Sequence, residues 1–179
     1  MLGSVEFDWR KGVILKPSSE TPLGRLLDGP VRKGQVVWIG LRPRRQQPLD
    51  EVKSATLVAE QGIAGDHYTT HGNGSRQVTL VAEEDIEAIA SFLGRENVTP
   101  ELLRRNIVAR GINLMALKNR RFRVGPVLLE GTGECAPCSR MEANLGPGGF
   151  NAVRGHGGVT ARIIAGGEVK VGDVIERDD

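Results

Sequence analysis

Apolar positions along this chain switch between two periods, and the switches mark its elements. From Gln35 onward three short runs are β-branched or aliphatic and bounded by glycine, proline or charge: Val36–Leu41, Ala55–Glu60 and Gln77–Ala82. Such runs predict strands. The period then changes. Ile86, Ile89, Ala90 and Leu93 fall at i, i+3, i+4 and i+7, with Glu83, Glu84 and Asp85 in the first turn and Gly94 past the end. That spacing predicts an amphipathic helix with acidic charge at its positive end. Thr99-Pro100-Glu101 opens a shorter helix, with Thr as N-cap and Pro at the first helical position.

The second half returns to strands and turns. Arg123-Val-Gly-Pro-Val-Leu-Leu-Glu130 and Lys170-Val-Gly-Asp-Val-Ile-Glu176 share a basic residue, Val-Gly, apolar residues and a closing Glu. This reads as one turn solution used twice in a curled sheet. Residues 1–34 are broken by Pro17, Ser18, Ser19, Pro22, Gly24 and the Asp28-Gly29-Pro30 turn, which predicts an irregular arm packing on the body. Residues 35–179 then form a single domain. Many short strands, glycine-centred turns and few helices predict a mainly β, barrel-like fold with helical insertions. A doubly wound sheet would require sustained strand–helix alternation.

Composition narrows the function. A chain of 179 residues suffices for one domain burying roughly 70% of its unfolded surface. Aromatics are only 4%, so Val, Ile, Leu and Ala carry the core. A formal charge of +2 does not by itself point to nucleic acid. No apolar run approaches the ~20 residues of a membrane span, and two cysteines make no disulfide framework, so the bacterial cytoplasm is the expected location. Arginines are locally dense: Arg42, Arg44 and Arg45; Arg104 and Arg105; Arg120, Arg121 and Arg123. They suit a solvated basic face or a pocket for a small phosphorylated anion.

The chemistry centres on Gly131-Thr-Gly-Glu-Cys135-Ala-Pro-Cys138-Ser-Arg-Met-Glu142. It follows the strand-like Val127–Leu129 and precedes a short helix over Ser139–Leu145. Thiols placed where a strand meets a helix start ionise readily and serve as nucleophiles or metal ligands. Four readings stand side by side: zinc with His67, His71 or His156, a thioredoxin-like redox pair, two buried structural cysteines, or a single functional thiolate. Three further clusters accompany it. Gly62-x-x-Gly65-Asp66-His67 and Arg76 suit close backbone approach to a ligand, or a polar hairpin loop. Arg104-Arg105-Asn106 can aim donors at a phosphate or a heterocycle edge, or complement a helix dipole. Arg154-Gly-His156-Gly157-Gly158 lets backbone meet a ligand or another backbone closely; no Walker pattern is present.

In this order the clusters resemble the MOSC domain, named after the C-terminal part of molybdenum-cofactor sulfurases. The likeness runs from about Val36 to Ile175, over Gly62-x-x-Gly-Asp-His67, Gln77-Val-Thr, Arg104-Arg-Asn-Ile-Val108, Ala136-Pro-Cys138 and Val171-Gly-Asp173. It is similar to short stand-alone bacterial members that reduce N-hydroxylated bases and amidoximes. The resemblance implies a β-barrel-like fold binding molybdenum cofactor, with Cys138 as metal ligand. The clusters supply fitting cofactor contacts in Gly65, His67, Arg104, Arg105, Asn106, Arg154 and Gly157, and Asp66 or His156 is the candidate proton relay. Cys135 lies outside the family pattern. A small-molecule substrate and a separate electron-donor protein are the expected partners. The alternatives are a sulfur carrier using a Cys138 persulfide with a sulfur donor, and a zinc-bound or metal-free module with structural cysteines. No nucleic-acid or membrane partner is expected.

Overall fold

The structure is a computed structural model describing residues 7–8, 13–14, 20–45, 47–68 and 74–178. The chain forms two compact units, Met1–Val31 and Arg32–Asp179. The first contains a two-stranded antiparallel pair, β1 (Phe7–Asp8) and β2 (Val13–Ile14), and helix α1 (Pro22–Leu27). The sequence reading counted Pro22 among the breakers of an irregular arm. It instead starts a helix, because Pro lacks only an N–H the first turn cannot use. Thr21 caps α1, its hydroxyl accepting from Gly24 N at 3.0 Å. Pro17, Ser18 and Ser19 lie outside the described residues.

In the second unit the strands are β3 (Gly34–Leu41), β4 (Asp50–Val52), β5 (Ser54–Val58), β6 (Gly62–Ile63), β7 (Val78–Ala82), β8 (Ile107–Arg110), β9 (Arg121–Val124), β10 (Val127–Glu134), β11 (Val159–Ala165), β12 (Gly167–Lys170) and β13 (Val174–Arg177). The helices are α2 (Glu83–Phe92), α3 (Pro100–Leu103), α4 (Ser139–Leu145) and α5 (Gly149–Val153), with a 3-10 turn at Leu114–Leu117. Strands pair in the order β13-β9-β10-β11-β7-β8-β3, and β13 pairs back to β3. The result is a closed barrel, the mainly β fold expected. β4 extends β3, and β12-β5-β6 form a small separate sheet.

Among the described strands only β7 and β8 pair in parallel, in register Leu80↔Ile107 and Val81↔Val108. A parallel pair cannot be closed by a hairpin, so the chain must cross over, and α2 and α3 are that crossover. This explains why the strongest helical signal sits where it does. β7 is buried at every position because both of its faces are covered. Val81, Val108 and Trp38 pack with Ile86, Ile89, Met141 and Val153 on the helical side. Alternation then turns Leu80, Ile107 and Ile39, each fully buried, toward the barrel interior. A register shift between Val36 and Trp38 lets Val37 and Trp38 both serve the helical side.

The Val-Gly turn recurs, but in two different jobs. Gly125-Pro126 closes the β9–β10 hairpin, whereas Gly172-Asp173 carries the chain from the small sheet into the barrel. Both glycines have positive φ, +54° and +99°, and the turns abut through Gly125 N donating to Val174 O at 2.9 Å. Among the described residues no helix is long and apolar enough to cross a membrane.

Candidate functional site

β10 ends at Glu134, yet its pairing continues one residue further, with Cys135 N donating to Gly158 O at 2.8 Å. Ala136 and Pro137 then lead to Cys138, the N-cap position of α4. No turn or bend separates the two cysteines. Both thiols are free, and both precede α4. The thiols also differ: Cys135 is 1% exposed, while Cys138 faces solvent. Cys135 Sγ accepts from Arg76 Nη2 at 3.2 Å.

Two residues at the entry to β8 hold this segment in place. Arg105, 6% exposed, donates from Nη2 to Cys135 O at 3.0 Å, from Nε to Gly157 O at 2.7 Å and from Nη1 to Leu103 O at 2.7 Å. Burial lowers its pKa, with the nearby Cys135 opposing and Arg76 adding to the shift. Asn106, 3% exposed, accepts on Oδ1 from the Thr79 hydroxyl at 2.9 Å and Thr79 N at 3.3 Å. Its Nδ2 donates to Gly40 O at 3.3 Å and Asp66 Oδ2 at 3.0 Å. The side-chain bonds expected to reach a phosphate or heterocycle are largely committed to the protein's own backbone and to Thr79 and Asp66.

Asp66 is likewise committed. Its carboxylate accepts from Arg42 N at 3.0 Å and Tyr68 N at 2.7 Å besides Asn106, and pairs with Arg42 Nη2 at 3.5 Å. It pins the loop after β6. Gly65, at φ +83°, makes the turn into it; Gly65 and His67 are exposed and line no cavity described here. His156 is also placed elsewhere. Its Nδ1 meets Asp85 Oδ1 at 2.8 Å on α2, and its ring lies 5.2 Å from that of Phe92. It packs against α2.

What opens on Cys138 is a cavity of about 360 Å³ with Arg42, Arg76, Arg104 and Arg105 in its wall and no carboxylate among its lining residues. Two of the three arginine clusters thus converge, while Arg123 of the third pairs with Asp178. Burial lowers the pKa of Arg104, and Arg42 and Arg140 lower it further by repulsion, against the raising influence of Cys138 and Asp66. Arg42 Nε is buried without a hydrogen-bond partner among the described residues. A guanidinium N–H left without an acceptor, on a group otherwise paired with Asp66, suits an oxyanion. Arg42 is the site residue least marked in the sequence; local arginine density was its only signal.

A second cavity, of about 600 Å³, lies across the Cys135–Pro137 segment, with Arg154, Phe150 and Gly157 in its wall. Gly157 is where two backbones meet: a Cβ there would stand 2.1 Å from Cys135 O. Among the described residues no three His, Cys, Asp or Glu side chains cluster as a metal cage, and His71 lies outside them. The donor set is instead one exposed soft sulfur beside arginines, which fits a phosphorylated cofactor that brings its own sulfur ligands to a metal.

Residues 67–176 match the family model of the MOSC domain. Among solved structures, the YuaD protein from Bacillus subtilis superposes with a TM-score of 0.71 at 19% identity, over 83% of this chain and 97% of that one. YiiM from Geobacillus stearothermophilus gives 0.67 at 16% identity, over 82% and 75%. YiiM from Escherichia coli gives 0.62 at 17%, over 81% and 70%. At these identities the likeness is one of fold. None of the curated proteins matches the chain.

Proposed function

The chain belongs to the MOSC domain family, which is associated with molybdenum cofactor, and from that premise we propose that it binds the cofactor and reduces N-hydroxylated substrates. The observation that carries this reading is the exposed Cys138 thiol opening on the same cavity as Arg42, Arg76 and Arg104. When bound, the cofactor supplies a metal that changes oxidation state and can take oxygen from an N–O group. Cys138 Sγ offers the soft protein ligand, and the arginines meet the negative charge of the phosphate tail.

Arg105 and Asn106 act one step back. Arg105 anchors the Cys135 carbonyl and so sets where the following Ala136-Pro137-Cys138 segment runs. Asn106 joins β3, β7 and the Asp66 loop, and thereby orients Arg42. Buried groups that fix a ligand's supports commonly govern affinity as strongly as the ligand itself.

The test is metal and pterin content of protein purified from a host that makes the cofactor, beside Cys138→Ser and Cys135→Ser. Near-stoichiometric molybdenum, lost in Cys138→Ser and kept in Cys135→Ser, is the expected result. Persulfide on Cys138 without molybdenum would replace the reading with a sulfur carrier. Zinc lost equally in both variants would replace it with a structural site.

A further inference from the structure

We propose that the arginine-rich rim of the Cys138 cavity is the docking face for an acidic electron-transfer protein of the flavin or iron–sulfur class. The inference rests on the oxidoreductase reading above and assigns the partner that reading needs. Reducing an N–OH group to N–H with release of water consumes two electrons and two protons. The chain has two cysteines, one buried, and no flavin or iron–sulfur motif. In this reading the electrons come from a reduced carrier protein, which is oxidised once by two electrons or twice by one.

The distribution of paired charge shows where such a carrier fits. Away from the cavity, several cations sit against carboxylates: Lys33 with Glu176, Arg110 with Glu83, Arg123 with Asp178, Lys170 with Glu168, whereas Arg32 and Arg121 are exposed without one among the described residues. Around the cavity the pattern reverses. Arg44 and Arg45 follow Arg42 on the loop whose Gln47 carbonyl accepts from Arg104; Arg140 follows Cys138; Arg154 lines the adjoining cavity. All four are exposed, and none has a carboxylate partner among the described residues.

Nearby acids form no ion pair with these four arginines among the described residues. Glu134 is turned to Lys118, and Glu142 accepts from the Gly148 and Phe150 amides at 2.9 and 2.8 Å. Two aromatic side chains, Tyr68 and Phe150, are 42% and 40% exposed in the walls of the two cavities. Unpaired cations with exposed aromatics over a redox-site mouth match an acidic protein surface. Charge of this kind speeds encounter by about 10- to 1,000-fold, an effect that salt suppresses. The small net charge of +2 favours a protein partner over a nucleic acid.

The experiment compares the cofactor-loaded protein with a triple variant, Arg44→Glu, Arg45→Glu and Arg140→Glu. A flavodoxin and a [2Fe–2S] ferredoxin, both acidic, are the probes. Binding is read by calorimetry at low and high salt, and substrate reduction is driven either by the reduced carrier or by dithionite. Expected are carrier binding that weakens at high salt, and at least tenfold loss of binding and carrier-driven rate in the variant, with molybdenum content and dithionite-driven rate unchanged. Binding of neither carrier at low salt, or equal binding by the variant, overturns the docking face. So does loss in the variant of single-stranded DNA binding without loss of carrier binding. Absence of molybdenum or of dithionite-driven reduction overturns the parent reading instead, and the binding arm still reports on the face.

Discussion

Replacing Asn106 by Asp tests whether that side chain is a structural junction or a ligand for the cofactor. The substitution preserves shape and keeps the Oδ1 contacts with Thr79. It turns the Nδ2 donor into an acceptor facing Asp66 Oδ2, 3.0 Å away, and Gly40 O, 3.3 Å away. A neutral hydrogen bond is worth about 1 kcal/mol net and one to a charged group about 1.5–3 kcal/mol. With a second carboxylate buried against Asp66, the total loss is about 4–5 kcal/mol. That corresponds to a fall in melting temperature of about 10–15 °C for a domain of this size.

The loss depends on pH, and its sign is fixed. In the variant two carboxyls face each other, so the folded pair holds a shared proton above the pH at which the unfolded chain would release it. Between those two values the folded state binds more protons, and stability falls as pH rises. The deficit of Asn106→Asp is therefore larger at alkaline than at acidic pH. Melts of wild type and variant, followed by circular dichroism, measure it. A deficit below about 1 kcal/mol at the higher pH, or one equal at both, refutes the junction.

Gly157→Ala should destabilise by about 2–4 kcal/mol through overpacking, because its Cβ would collide with the Cys135 carbonyl and crowd Arg105; chemical denaturation measures this. Glu142→Gln should lower stability at neutral pH and match wild type in acid, since the Phe150 and Gly148 amides hold the Glu142 carboxyl below its ordinary value. Their contribution is complete above the usual carboxylate range and disappears as pH falls through the depressed value, which paired melts across that range would show. His156→Gln should leave molybdenum retention unchanged while loosening α2, read by hydrogen exchange, because its contacts are with Asp85 and Phe92.

Local pattern carried much of this molecule. Short β-branched runs, the i, i+3, i+4, i+7 spacing of Ile86 to Leu93 and the Pro-Cys before a short helix depend on neighbours within a few residues, so they are written in the text of the chain. The ordered clusters also sufficed to mark the MOSC family. Side-chain commitments were not legible. Whether Arg105 and Asn106 face a ligand or brace the backbone depends on Cys135, Gly157, Thr79 and Gly40, which lie up to 66 residues away in sequence. His156 and Asp66 look equally suited to proton transfer on paper, because residue type states what a group can do and not which partners already occupy it.

The chain by itself determined a strand-rich domain, its one strong helix, a cysteine ahead of a helix and an excess of arginine. Only tertiary structure decided that two arginine clusters meet at Cys138, and that Asp66, Arg105 and Asn106 are hydrogen-bonded to the loops and strands around it. Hydrogen-bonding capacity belongs to a residue, but its expenditure depends on which donors and acceptors the closed barrel brings within 3.5 Å.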